Sequence, residues 1–488
     1  MTLMRSVVVQ AQFQWDGASW TDESDYFVTA KGSLEYLPPN EAYQSNKAVI
    51  QQMTVTLANT NWRFSEDNPS GPLYPYRNTG GVYHRKCRVL CTIDTRPTQT
   101  IFIGYIKGTQ EDVKRNQMTF TVWDVGEILR QKLSTTMLKG LLEHEVVANF
   151  LTLAGLQDGN DFISPAYAAS HGVTATLDYS ADPIDYAWLD DEPVFDELVD
   201  VAQAAGARLY VTKEGMVRFE KGWQWTRPAT VETVSQETYQ DFAPEVDDKA
   251  FYDEVQVAYT SRSPGNSQDE IWKLDQSRSI YPGKTETINA RFNYPAVDVV
   301  VPQPNVHYFL RTPSGQDMTG SVTVNIQIYA QQAIFTITNT SNSLVIFSQG
   351  RITGVPLVGR PAEQVKKKFG TTPYNRRLEV RDNPYVQTKM QAEAIATFLA
   401  WWYSVVKKSY TIKGLRGDPN RGLGTRLLIY GDTNRTYPGI VIKVDWRINV
   451  VNNAFAYLQD VKLVQNVFST DYFVIGVDSL GGPKKVWH

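Results

Sequence analysis

"IFIGYIKGTQEDVKRNQMTFTVWDVGEIL", residues 101–129, sets the fold class. Apolar residues run through Ile101, Phe102 and Ile103 to Gly104, and a charged connection follows. Met118, Phe120 and Val122 then return with a period of two. Alternation of this kind predicts a half-buried strand, a reversal and a second strand. At Asp124 the rhythm changes towards 3.6, the helical period.

A second copy of this phrase lies near the other end of the chain. "TYPGIVIKVDWRINVVNNAFAYLQDVKLV", residues 436–464, also approaches a glycine, Gly439, through apolar residues. "IVIKV" corresponds to "YIKG", and a polar connection leads to "FAYLQDVKL" in the place of "MTFTVWDV". The distance from glycine to second strand is 14 residues to Met118 and 16 to Phe455.

Between the copies the organisation changes. A chain of 488 residues exceeds what one core holds, and about 150 residues per domain suggests three. Hydrophobic residues are 42% and charged residues 20%, an ordinary globular balance. The 26 Tyr, 20 Phe and 12 Trp favour strands. After the breaker-rich loop 65–81, "VYHRKCRVLCTID" continues the β pattern. From Leu141 the spacing Leu141, Val147, Phe150, Leu151, Ala154 predicts a helix closed by Gly155. Around 190–220, Pro193 opens a helix through Val194, Leu198, Val201 and Ala205 that Gly206 ends. "ARLYV", "TKEG" and "MVRFE" follow as a hairpin with Gly215 at a positive φ. Residues 250–360 read as a small sandwich with one wet face on each sheet. Residues 384–408 read as the longest helix, capped by Asn383, with Met390, Ala394, Phe398 and Trp402 stacked four apart. Lys407 and Lys408 would complement its negative end, and residues 410–470 return to strands.

Groups suited to catalysis are scattered. His84, His144, His171, His307 and His488 form no metal-binding spacing, and a satisfied histidine is the better reading of His144. Cys87 and Cys91, four apart in a strand, share a face and read as reduced buried thiols of a chain made in a reducing cytoplasm. Neither "GGVYH" nor "GLRGDPNRGLG" at 414–424 has phosphate-loop spacing, and the second reads as a loop. Asp190-Asp191-Glu192 and Asp247-Asp248 could form a glycosidase pair, but adjacency and a following helix favour capping and solvation. Trp402 belongs to a helix core face, whereas Trp223 and Trp225 stay open as a sugar platform. Lys366-Lys367-Lys368 and Arg376-Arg377 read as solvated surface, and a net charge of −4 argues against a nucleic-acid coat. The N-terminal residues do not read as a signal peptide, and no apolar run of about 18 residues predicts a membrane span. The expectation is therefore no enzyme, with no catalytic, cofactor-binding or metal residues to assign.

The order of these parts resembles the baseplate hub, or tail-hub, proteins of tailed bacteriophages. The resemblance rests on the paired terminal β-units and on "WLDDEPVFDELVDVAQAAGARLYVTKEGMVRFEKG" at 188–222, which is similar to the helix and hairpin of those hubs. It rests also on the 384–408 helix, the "YGDT" turn at Gly431-Asp432 and the strand "PGIVIKV". It implies a mainly β fold with a few helices, α+β, holding two tail-tube-like β-barrels, a helix and hairpin domain and a β-sandwich-like insertion. The implied domains are 1–135 and 376–488 for the barrels, the second with its long helix, 136–245 for the helix and hairpin, and 246–375 for the sandwich. It further implies a homotrimeric ring at the virion tail tip, made in the bacterial cytoplasm. Its implied partners are the tail tube protein, distal baseplate proteins and a tape measure, spike or fibre, with DNA only in transit. The alternative is a receptor- or carbohydrate-binding tail protein, even a carbohydrate-active one, that uses the 250–360 sandwich.

Overall fold

The computed structural model describes residues 6–36, 49–78, 80, 82–221, 231–246, 252–369, 375–381, 383–403, 408–431, 435–452, 454–465, 472–473 and 485–486. The fold is mainly β with a few helices, as the composition and alternation predict.

One sheet of 13 strands dominates. Its first six long strands are β1 (Val7–Phe13), β2 (Phe27–Glu35), β3 (Gln52–Ala58), β4 (Lys86–Ile93), β5 (Gln99–Asp112) and β6 (Gln117–Trp123). Six more come from distant sequence: β7 (Val231–Val234), β8 (Asp241–Val246), β9 (Lys408–Arg416), β10 (Arg426–Tyr430), β11 (Thr436–Val451) and β12 (Ala454–Gln465). The order across the sheet is β8-β9-β12-β11-β2-β3-β6-β5-β4-β1, with the short strand Thr21–Asp22 on β1. β10 lies on the first part of β11, and β7 lies on β10. The pairings among the described residues do not close into a ring.

Alternation places the core as the sequence predicts. In β6, Met118, Phe120 and Val122 are buried and the residues between them are half-buried. In β4 the buried set is Cys87, Val89, Cys91 and Ile93. These side chains join Tyr410, Ile412, Val441, Trp446 and Leu463 in one apolar cluster that spans both ends of the chain. Each large apolar side chain so buried contributes about 1.5–3 kcal/mol of transfer free energy.

A second core gathers the helices α1 (Glu143–Leu153), α3 (Val194–Ala204) and α4 (Lys389–Tyr403), with α2 (Pro165–His171) beside them in sequence. Gly155 and Gly206 follow α1 and α3 at φ +89° and +60°, the left-handed ends expected of them. The hairpin Ala207–Val211 with Val217–Lys221 forms as predicted, with Gly215 at φ +79°. Leu141 lies not in α1 but in the strand Leu138–Leu142 before it.

α4 is shorter than the sequence suggests. Thr388 Oγ1 accepts the N–H of Gln391 at 3.2 Å, and Gln391 Oε1 accepts the N–H of Thr388 at 3.1 Å. This reciprocal cap starts the helix five residues after the expected Asn383. Asn383 instead accepts the N–H of Tyr385 and donates to the carbonyl of Asp200. Met390 is 66% exposed, while Ile395, Leu399 and Trp402 are buried. A stripe of four-residue steps drifts around a helix of 3.6 residues per turn, so Met390 and Ala394 leave the face that holds Trp402. Lys408 already belongs to β9, and Lys407 lies outside the described residues.

A third core, including Ile288, Phe335, Ile337, Phe347 and Ile352, lies within residues 271–352 and is built from short antiparallel sheets.

Candidate assembly surface

The twelve long strands are one six-strand unit written twice. Numbers β1 to β6 correspond in chain order to β7 to β12, and the strand orders match: β2-β3-β6-β5-β4-β1 against β8-β9-β12-β11-β10-β7. The hairpins share their register around the glycine and the bulge. Tyr105 pairs with Trp123 and Ile440 with Val464, each one residue past its glycine. In the first hairpin the register shifts between Ile106 and Gly108, which leaves Lys107 extra. In the second it shifts between Val441 and Lys443, which leaves Ile442 extra. Both bulges fall three residues after the glycine. A bulge bends its strand and increases the local twist, so the same offset gives both units the same bend.

Both glycines are closely approached, though by different groups. A Cβ on Gly104 would stand 2.3 Å from the carbonyl oxygen of Trp123, and one on Gly439 would stand 3.0 Å from the Leu463 side chain. Met118 corresponds by register to Gln459 and not to Phe455, so the second hairpin is the longer by six residues. The units differ at one edge. β1 is antiparallel to β4, whereas β7 is parallel to β10.

The two units meet at a seam between β2 and the outer half of β11, from Thr29 opposite Asn449 to Glu35 opposite Lys443. Thr29 Oγ1 donates to the carbonyl of Ile448 at 2.9 Å, and Lys443 Nζ stands 3.1 Å from Glu35 Oε2. Phe27 meets Phe455 edge-on at 5.8 Å. A groove of ≈ 480 Å³ runs along the seam, lined by Lys31, Met53, Asp445, Trp446, Arg447 and Asp460. The importance of β2 and β8 escaped the sequence reading, because neither carries a glycine-marked hairpin.

The hairpin of the helical core meets this sheet through Arg208, whose buried ion pair lies within the hairpin and whose guanidinium reaches Tyr36. Arg208 Nε donates to Glu220 Oε2 at 2.9 Å, and the guanidinium lies 4.2 Å over the ring of Tyr36, just past β2. Burial raises the pKa of the Tyr36 hydroxyl, so it stays neutral. Lys213 donates to the carbonyl of Pro419 in the loop between β9 and β10.

The remaining candidates separate in space. His144 is buried and its Nδ1 accepts the N–H of Ser180 at 3.2 Å, the satisfied state expected of it. His171 stacks on Tyr167, and His307 accepts the N–H of Gln303. His84 adopts φ +72° in a turn. Among the described residues no three His, Cys, Asp or Glu side chains gather as a metal site. Asp190 does not cap α3. It belongs to the strand Asp190–Pro193 and pairs with Arg291 at 2.6 Å, while Asp196 and Glu197 occupy the first helical turn. The "RGD" loop at 416–418 is held by contacts within the chain: Arg416 is exposed, Asp418 pairs with Arg96 at 2.9 Å, and Arg421 is buried against Glu232 and Gln459. Lys366, Lys367 and Lys368 are exposed on the strand Glu363–Lys368, and Arg377 pairs with Glu254 at 3.1 Å. Trp402 is buried. Trp223, Trp225, Asp247, Asp248, Asp432 and His488 lie outside the described residues. No helix among the described residues is long and apolar enough to cross a membrane.

No protein-family model and no curated protein matches the chain. Similar solved structures include tail proteins. The tail protein from Neisseria meningitidis shares 8% identity over 94% of this chain and 96% of its own, with a TM-score of 0.46. The 43 kDa tail protein of prophage MuSo2 from Shewanella oneidensis shares 9% over 94% and 98%, with a TM-score of 0.47. The prophage tail protein gp18 from Listeria monocytogenes shares 8% over 93% and 94%, with a TM-score of 0.39.

Proposed function

We propose that this chain is a non-catalytic structural protein of a phage-type tail, a hub at the tail tip whose three copies close into a ring. The observation that carries this reading is the six-strand unit present twice in one chain and joined edge to edge. A chain with two equivalent units offers a partner two equivalent surfaces, so a ring of three chains offers six. Such a ring fits a sixfold tail tube without an adaptor and leaves a passage for DNA, and a net charge of −4 does not favour retention of a polyanion. On this reading the units built from 1–135 and 376–488, joined by β7 and β8, face the tube. The helical core and the 271–352 core face distal tail components.

Native mass measurement and negative-stain imaging of the full chain test the ring. Three copies around a central hole with a near-sixfold outline are expected, together with cross-linking to a hexameric tail tube protein. A chain that stays monomeric in the presence of that tube protein would overturn the reading.

A further inference from the structure

The seam inside the chain describes half of a contact whose other half is unmade. At the seam, β2 covers the outer half of β11, beyond the bulge. The equivalent stretch of β5 is Thr109–Asp112, and among the described residues it pairs with β6 alone. The equivalent of β2 is β8, which among the described residues ends the sheet and pairs with β9 alone. Among the described residues the fold therefore leaves one uncovered acceptor edge and one uncovered donor edge, of the same two kinds that already meet within the chain.

We infer that Ala243–Val246 of one copy adds as an antiparallel strand to Thr109–Asp112 of a second copy, which repeats the internal seam between chains. This deepens the ring reading and rests on it, because it names the contact that would close the ring.

The register follows from the pairings within the chain. Glu245 stands opposite Ser409 as Ser33 stands opposite Gln52, and both of those lie beside the same point of the duplicated hairpin, Val464 and Trp123. Glu245 thus corresponds to Ser33, and Val246 to Leu34. Ser33 pairs with Asp445, and Asp445 corresponds to Gln110 through the shared bulge. The predicted pairs are Ala243 with Asp112, Pro244 with Glu111, Glu245 with Gln110 and Val246 with Thr109. No two like charges stand directly opposite, an arrangement that would destabilise a strand pair.

Burial supports the match independently. Leu34 is 4% exposed at the internal seam, whereas its counterpart Val246 is 63% exposed in the single chain. An apolar side chain on a terminal strand, at a position that the other copy buries, fits a strand that awaits a neighbour. The contact joins unlike edges, so it propagates head to tail and yields a ring where the rotation closes.

The test uses two full-length variants, Glu245→Cys and Gln110→Cys. Both positions are exposed and neither side chain serves the core. Cys87 and Cys91 are buried and do not compete. Under mild oxidation, a mixture of the two variants is expected to give a disulfide-linked pair, while each variant alone gives none. The double variant should link into a ladder that stops at the size of the native ring, and Val246→Lys should shift the native mass towards monomer. Self-linking of either single variant, or an oligomer in which the mixture does not link, would overturn the register. A native oligomer without the cross-link leaves the hub reading standing, and a cross-linked ring that ignores the tube protein removes the hub reading alone.

Discussion

Trp446 lies across Gly32 at the seam, so close that a Cβ on Gly32 would come within 2.6 Å of the indole. The two residues pair directly in the register of β2 and β11 although more than 400 positions separate them in sequence. This close approach of backbone to ring sits in the middle of the seven backbone pairs that join the two halves of the chain in a single sheet.

Substitution at this point tests the seam. Gly32→Val would displace the Trp446 ring from its buried position, an overpacking defect of about 1–3 kcal/mol. Thermal unfolding of the variant is expected to show a lower midpoint. An unchanged midpoint would mean that the ring relaxes freely and that the seam bears no strain.

The ion pair between Arg208 and Glu220 offers a second check. The two side chains are only 10% and 12% exposed. Removal of one partner of a buried pair strands the other charge and costs about 3–5 kcal/mol, whereas replacement of both by apolar groups is far milder. Arg208→Met is therefore expected to be much less stable than Arg208→Met with Glu220→Met. Chemical denaturation of the two single variants and the double variant measures the coupling, and strict additivity would contradict it.

Asp200 predicts a pH dependence. Burial, followed by the charges of Glu197 and Asp196, pushes its pKa up to about 7, and its buried Oδ1 has no hydrogen-bond partner among the described residues. The unfolded carboxyl titrates near 3.9, so between about pH 4 and 7 the folded state holds the extra proton. A raised carboxyl pKa means that stability is greatest at low pH for this group and falls as pH rises to about 7. Asp200→Asn should flatten that part of the profile and stabilise the protein by about 1–4 kcal/mol at pH 8. A wild-type stability profile that rises from pH 5 to 7, with no change in the variant, would refute the assignment.

Cys87 and Cys91 are expected to be inert. Both are buried in the sheet core, and burial raises the Cys87 thiol far above its ordinary pKa. A thiol-reactive chromophore should label neither in the native protein and both after denaturation. Labelling at a rate comparable with a free thiol would show that the core under β4 opens readily.

The sequence by itself determined the elements whose signal is local. Alternation in 101–123 and 436–465 names the strands, because a half-buried pleat needs a period of two. Gly155, Gly206 and Gly215 mark the ends and turns where left-handed backbone is required, and the duplicated glycine hairpin is visible as text. The spatial identity of the two copies was not visible. Their bulges match at Lys107 and Ile442, while the connections after them differ in length, so alignment by spacing alone set Met118 against Phe455 in place of Gln459.

Only the tertiary structure decided what these elements do together. The start of α4 depends on which polar side chain wins the free N–H groups, and Thr388 with Gln391 wins because Asn383 is engaged by Tyr385 and Asp200. Asp190 became an ion-pair partner of Arg291 because folding brings that guanidinium from a hundred residues away. The second copy of the unit draws β7 and β8 across an insertion of more than 150 residues. Strand order is set by hydrogen bonds between backbones that carry no sequence signature of their neighbour, so the duplication becomes a seam only in the folded chain.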